Sequence, residues 1–306
     1  MTFFRPFRPV LFGAPMDCGT GCRGTVLGPA ALRRAGLAEC LGAVRDLGDV
    51  APLALVPPAA PEDPVHNLGE VAGWVGAIHT AAASIAGAGD LPVMLGGDHA
   101  ASMGSVSAVA RAARRYGREL FVLWIDAHAD YNTPRTSPSG NLHGMVLSAL
   151  CGEPDMVAMP GCTPAPLTPG HAAILGARSI DPGEQDLLDA RGIEVTTMQQ
   201  IARHGVAAPL GRLLARLAAR DALLHVSFDV DVLDPVLAPG VGTPEPGGLG
   251  LDAAREIFAL LRRSGRLAGL DIVETNPARD RGNATAALVC DLVAGLLEAP
   301  RLARAG

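Results

Sequence analysis

There is no lysine in this chain: all 25 residues of the Lys+Arg count are arginines. A Schiff-base lysine, a pyridoxal-phosphate lysine and the phosphate-gripping lysine of a Walker loop are thereby excluded together. The six cysteines form no CxxC pair, and Cys18 and Cys22 have no matching Cys/His pair to complete a zinc site. Buried free thiols in a reducing compartment are the expectation. No run approaches the ~20 apolar residues of a membrane span. The N-terminal run MTFFRPFRPVLFG is broken by arginine and proline, which spoils a signal-peptide core, so a cytoplasmic protein is expected. A net charge of -6 argues against nucleic acid or an anionic membrane as partner. Aromatics are scarce at 4%, yet the 49% apolar fraction is ample for a buried core.

The 306 residues are within reach of one α/β domain, and neither an internal repeat nor a dividing linker interrupts them, so residues 1–306 are expected to form a single domain. Apolar runs predict strands at 9–13, 91–95, from Phe121 onward, 172–175, 222–228 and 267–273. Between them lie helical patterns: one opened by Gly28-Pro29, one over 67–88, one over about 100–115, one from His143 to Cys151, the Leu210/Leu213/Leu214/Leu217 stripe and 284–298. The Pro-rich stretches 51–64 and 152–170 read as loops. Strands alternating with helices imply a parallel sheet covered on both faces. His79, with no ligand partner one turn away on its helix, reads as a packed or surface histidine.

What the chain does have is a set of polar residues at the ends of these strands. Asp126-Ala-His128-Ala-Asp130 follows an apolar run. Side chains on a strand point to one face at every second residue, so these three are expected to converge on one point. Gly96-Gly-Asp98-His99 follows another run and offers an imidazole, and Asp229-Val-Asp231 offers two carboxylates at the same spacing. Taken singly, each motif is ordinary: a capping Asp, a surface His, a tight turn. Jointly they give four carboxylates and two imidazoles at the ends where open α/β sheets bind ligands. Buried together, those carboxylates repel unless a cation compensates them. One divalent ion leaves ligands over, whereas two sharing a bridging carboxylate use them all. An oxygen-rich set with nitrogen donors suits Mn²⁺ better than structural zinc.

These segments resemble the ureohydrolases, and within them the arginases. The resemblance is carried by Gly96-Gly-Asp-His99, Asp126-Ala-His-Ala-Asp130, Ser227-Phe-Asp-Val-Asp231 with Asp234-Pro235, Gly242-Thr-Pro, and Asp271-Ile-Val-Glu274 with Asn276-Pro277. It implies a three-layer α/β/α fold, two Mn²⁺ ions and a homotrimer or homohexamer. It implies hydrolysis of L-arginine to L-ornithine and urea by a hydroxide that the ions supply. By the same resemblance Asp126 and Asp229 bridge the ions, His99 and Asp130 complete one shell, and His128 and Asp231 the other. Thr136-Ser-Pro-Ser-Gly-Asn-Leu-His-Gly-Met145 points to arginases among the ureohydrolases. Asn132, Ser139 and Asn141 are implied to hold the substrate α-carboxylate, Asp181 with Glu184 beside it the α-ammonium, and Thr243 to hydrogen-bond nearby. Glu274 is implied to pair with the guanidinium, Asp130 to pass a proton to the leaving amine, and His143 to act as proton shuttle or general acid. Without the resemblance, His143 is equally a structural histidine at a helix start.

Three positions depart from the arginase pattern. Glu245 in Gly242-Thr-Pro-Glu-Pro-Gly-Gly248 is a feature of agmatinase-like members, Met145-Val146 stands where Met-Pro is common, and Ala100 stands where serine is usual. An agmatinase, or another guanidino or formimino hydrolase, is therefore the nearest alternative. A non-catalytic scaffold would be expected to have lost ligands. A dinuclear phosphohydrolase would be expected to aim cations at phosphate, but Arg135 is the only basic residue inside the segments around the metals. A deacetylase of related fold would need only one zinc.

Overall fold

The computed structural model describes residues 8–42, 44–53, 65–156 and 166–297. In chain order its elements are β1 (Pro9–Ala14), α1 (Gly28–Arg34), α2 (Leu37–Cys40), β2 (Arg45–Asp49), α3 (Leu68–Gly87), β3 (Leu91–Gly96), α4 (Ser102–Arg115), β4 (Leu120–Ile125) and α5 (Val146–Cys151). They continue with β5 (Ala172–Ala177), α6 (Pro182–Arg191), β6 (Glu194–Thr197), α7 (Met198–His204), α8 (Ala207–Ala219), β7 (Leu223–Asp229), α9 (Leu251–Ser264), β8 (Leu267–Val273) and α10 (Ala284–Leu297).

The eight described strands pair in one all-parallel sheet, in the order β2-β1-β3-β8-β7-β4-β5-β6. The central strands are buried almost throughout, as a parallel sheet covered on both sides requires. Alternate residues feed different layers. Phe121, Leu123 and Ile125 of β4 pack with Leu210 and Leu213 of α8 and Ile257 of α9. Val122 and Trp124 pack on the opposite side with Val75 and Ile78 of α3 and Val106 of α4. This is the three-layer α/β/α arrangement. No helix among the described residues is long and apolar enough to cross a membrane.

His79 on α3 is half-buried with its Nδ1 2.9 Å from Ser107 Oγ on α4, a packing contact. Cys18 and Cys290 are buried free thiols, but Cys22 and Cys151 are only partly covered and Cys40 is exposed. Cys162 lies outside the described residues, as do 54–64 of the first Pro-rich stretch and 157–165 of the second. β2 and β6, the two edge strands, had no counterpart in the sequence reading.

One expectation about local structure is corrected. β4 stops at Ile125, so Asp126 to Asp130 form a loop rather than a strand. Asp130 has φ 51°, in the left-handed region, which turns the chain sharply. Likewise Asp229 closes β7, but Asp231 sits in a 3₁₀ turn over Val230–Val232. The ligands converge because the backbone bends at the strand ends; pleat alternation has no part in it.

Candidate functional site

β3, β8, β7 and β4 are neighbours at the middle of the sheet. Just beyond their C-terminal ends stand His99, Glu274, Asp229 and Asp126. The turn after β3 is wedged in place. A Cβ on Gly97 would lie 1.8 Å from the Met16 carbonyl oxygen, so no side chain fits there. The next residue, Asp98, is fully buried and accepts from the Gly19 N–H (2.8 Å) and the Ala100 N–H (3.0 Å), while its own N–H donates to Met16 O (2.9 Å). Gly97→Ala must therefore displace backbone. It is expected to destabilise the chain by about 3 kcal/mol or more and to loosen His99, a loss readable in urea unfolding.

His99 Nδ1 faces three carboxylate oxygens: Asp126 Oδ2 at 3.1 Å, Asp130 Oδ2 at 3.1 Å and Asp229 Oδ2 at 3.0 Å. His128 Nδ1 faces Asp126 Oδ1 at 3.3 Å and Asp231 Oδ2 at 3.2 Å. Two groups of ligand atoms result, His99/Asp126/Asp130 and Asp126/His128/Asp231, and Asp126 belongs to both with a different oxygen. Such a shared carboxylate is what a two-ion site requires.

The electrostatics agree with a cation-binding role. Burial, reinforced by repulsion from neighbouring carboxylates, raises the carboxyls of Asp130, Asp229 and Asp231. Asp126 is buried too, but His128 and His99 hold its carboxyl below the usual range. Burial opposes protonation of His99 and His128, yet the surrounding carboxylates push both imidazoles up. His99 Nδ1 is buried and makes no hydrogen bond among the described residues. The donors are oxygen-rich, deprotonatable and convergent, so they fit divalent ions of the Mn²⁺ type.

Beside this cluster lies a cavity of about 260 Å³. It is lined by His128, Asp130, Asp229 and His143 and by Asn132, Ser139, Asn141, Asp181, Glu184 and Thr243, the expected substrate contacts other than Glu274. His99, Asp126, Asp231 and Glu274 are not in the lining and are almost wholly buried. Asn132 Nδ2 donates to Asp181 Oδ2 (2.9 Å), while its Oδ1 accepts from Thr136 Oγ1 (2.9 Å). Asp181 caps α6 in a capping box with Glu184. Glu184 accepts the N–H of Tyr131 (2.7 Å) and of Asp181 (3.2 Å), so its two oxygens brace the pocket wall, and burial lifts its carboxyl to about 7. Thr243 Oγ1 donates to Asp231 Oδ2 (2.9 Å). Glu274 Oε1 accepts the His99 N–H (2.9 Å) and lies 3.4 Å from His143 Nδ1, while Oε2 is buried with no donor among the described residues. Burial lowers the basicity of His143, but Glu274, Asp130 and Asp98 outweigh it and raise the imidazole to about 9.

With this geometry, comparison with known proteins is decisive. The sequence model of the Arginase family matches residues 7–298. The chain belongs to the arginase family. It is 41% identical over 291 residues to an arginase of Brucella melitensis, covering 94% of this chain and 95% of the relative. The solved arginase of Bacillus caldovelox superposes with a TM-score of 0.88 at 35% identity, over 97% of this chain and 100% of that one. A structure described as a hypothetical agmatinase from Burkholderia thailandensis aligns at TM-score 0.71 and 28% identity, covering 97% of this chain and 87% of that one. The protein is thus an arginase-family hydrolase with a buried Asp/His group suited to metal.

Several residues that support this arginase-family site escaped the sequence reading. Trp124 Nε1 donates to Asp126 Oδ2 (2.9 Å) and its ring stacks on His99 at 4.0 Å. Ser227 Oγ lies 2.8 Å from His99 Nε2 and 3.1 Å from Ser102 Oγ. Arg178 is directed wholly at backbone: its guanidinium donates to Asp231 O (2.7 Å), Val232 O (3.2 Å) and Glu245 O (2.8 Å). A usable signal existed for one of them. Ser227 precedes Asp229 by two residues on β7, hence shares its face.

Proposed function

We propose that the chain hydrolyses the guanidinium group of L-arginine to L-ornithine and urea with two Mn²⁺ ions. The observation that carries this reading is one cavity with two chemistries: the cluster joined by Asp126 at one side, and Asn132, Ser139, Asn141 and Asp181 at the other. Neutral amide and hydroxyl donors suit an α-carboxylate, and Asp181 suits the adjacent ammonium. His99 and Asp130 would hold one ion, His128 and Asp231 the other, with Asp126 and Asp229 between them. Bound there, such ions would supply hydroxide near neutral pH by lowering the pKa of water.

The protein's own groups do the rest. Glu274, with a buried oxygen that accepts no described donor, presents an anion to the planar guanidinium. Glu184 acts through Asp181, whose N–H it accepts, and Thr243 fixes the Asp231 carboxylate. Water adds across the guanidinium carbon; the C–N bond to the ornithine nitrogen breaks, and that nitrogen takes a proton. Asp130 passes that proton, and His143 relays protons between the site and solvent. A cytoplasmic homotrimer or homohexamer accords with this reading.

A second reading, hydrolysis of agmatine, draws on Glu245 and on the 28% identity to the hypothetical agmatinase. The 35% identity to the Bacillus arginase favours L-arginine. A scaffold without activity is disfavoured by the complete ligand set. The test is urea release from arginine, agmatine and guanidinobutyrate side by side with Mn²⁺-loaded protein. Arginine is expected to lead in kcat/KM by roughly 100-fold or more, since a site built to hydrogen-bond a carboxylate discriminates against the analogue that lacks it. A preference for agmatine would sink the assignment.

A further inference from the structure

Each ligand imidazole has an outer nitrogen, and its partner fixes the tautomer and aims the inner lone pair. For His99 that partner is Ser227, 2.8 Å from Nε2. His128 turns Nδ1 toward Asp126 and Asp231, and its Nε2 faces Glu245 Oε1 at 4.0 Å. Glu245 is held there from behind. Arg178 donates both to the Glu245 carbonyl and to the carbonyl of Asp231, tying the loop of the one to the turn of the other. The Glu245 side chain is 37% exposed and the His128 side chain 25%, so a bridging water has access to both. The terminal torsion of a glutamate is broad, and a small rotation also brings its oxygen into hydrogen-bond range.

We propose that Glu245 is a positioning residue that accepts the Nε2–H of His128 and so orients that imidazole toward the ion it shares with Asp231. The inference rests on the two-ion reading of the cluster. The residue that departs from the arginase pattern then has a task in the metal centre, apart from any contact with substrate.

Removing the carboxylate is expected to cost one ion selectively. In chelator competition, Glu245→Ala should weaken one of two bound Mn²⁺ ions by roughly 10- to 100-fold and leave the other within about twofold. The metal-free melting temperature and the KM for arginine at saturating Mn²⁺ should match the parent protein. Glu245→Gln keeps a carbonyl acceptor for the imidazole and should restore most of the affinity; it also serves if the alanine variant fails to fold, because affinity below even the alanine expectation would then contradict the acceptor role. Parental affinity for both ions in Glu245→Ala overturns the proposal, and so does a raised KM with metal binding intact. A parent protein that binds no Mn²⁺ would overturn the two-ion reading itself, an outcome distinct from loss of the Glu245 role alone.

Discussion

Asp126→Asn is expected to strip the protein of both ions and to lower kcat/KM by roughly three orders of magnitude or more. Lewis-acid chemistry is worth several kcal/mol of barrier, and each 1.4 kcal/mol is about tenfold. Asp126 is common to both groups of ligand atoms and presents Oδ2 to the His99 side and Oδ1 to the His128 side. Both oxygens are also acceptors: the Trp124 indole donates to one at 2.9 Å and the His128 N–H to the other at 2.7 Å. An amide keeps the shape but puts an N–H₂ where one of those donors points, so the carboxamide cannot serve both sides. Elemental analysis of the purified variant beside steady-state kinetics checks the prediction. A variant that keeps two ions and near-parental activity contradicts the shared-carboxylate geometry.

Metal should also change how stability responds to pH. Asp130, Asp229 and Asp231 have carboxyls raised in the folded chain by burial and repulsion. Between about pH 4 and those raised values the folded form holds protons that the unfolded form has lost, so stability falls as pH rises. His99 and His128, raised by their carboxylate neighbours despite burial, act in the same direction. Their contribution is present below about pH 6.5 and disappears as pH climbs through the folded values. Asp126 has the opposite sign, but its contribution is lost only on acidification well below neutral. Bound cations replace these protons. The metal-free protein should therefore melt at steadily lower temperature from about pH 5.5 to about pH 8.5, and the gain from Mn²⁺ should widen over the same range. At an ion concentration roughly 1,000-fold above Kd each site contributes about 4 kcal/mol. That corresponds to a rise of about 6 °C per site at this chain length. Calorimetry with and without chelator tests it; a gain that shrinks toward alkaline pH would contradict the charge argument.

How much of this was legible depends on which physical force shaped each segment. β8 runs over Leu267–Val273, the limits its apolar run predicts, because a strand buried on both faces is written as a hydrophobic block. β2 was not legible: Arg-Asp-Leu-Gly-Asp is exposed at every position and pairs with β1 along one edge only, so no burial pattern marks it. The ligand types around Asp126 were readable, but their local structure was not. Left-handed Asp130 costs conformational energy that its surroundings impose, and sequence period does not report it. Upstream of the bend, the Trp124 indole at the end of β4 donates to the Asp126 carboxylate. Arg178 gave no signal at all, because its partners are main-chain carbonyls with no residue identity to read.

The central strands that carry the cluster also dictate when it can exist during synthesis. His99 and Glu274, joined by a hydrogen bond at 2.9 Å, are 175 residues apart in the chain. β8 inserts between β3 and β7, so the middle of the sheet closes only after β8 has left the ribosome. Until then β3 and β7 expose unpaired edges, and contacts this distant in sequence form slowly. Metal binding at the Asp/His cluster is consequently expected late in biogenesis, and a nascent chain cut before β8 is expected to hold metal weakly.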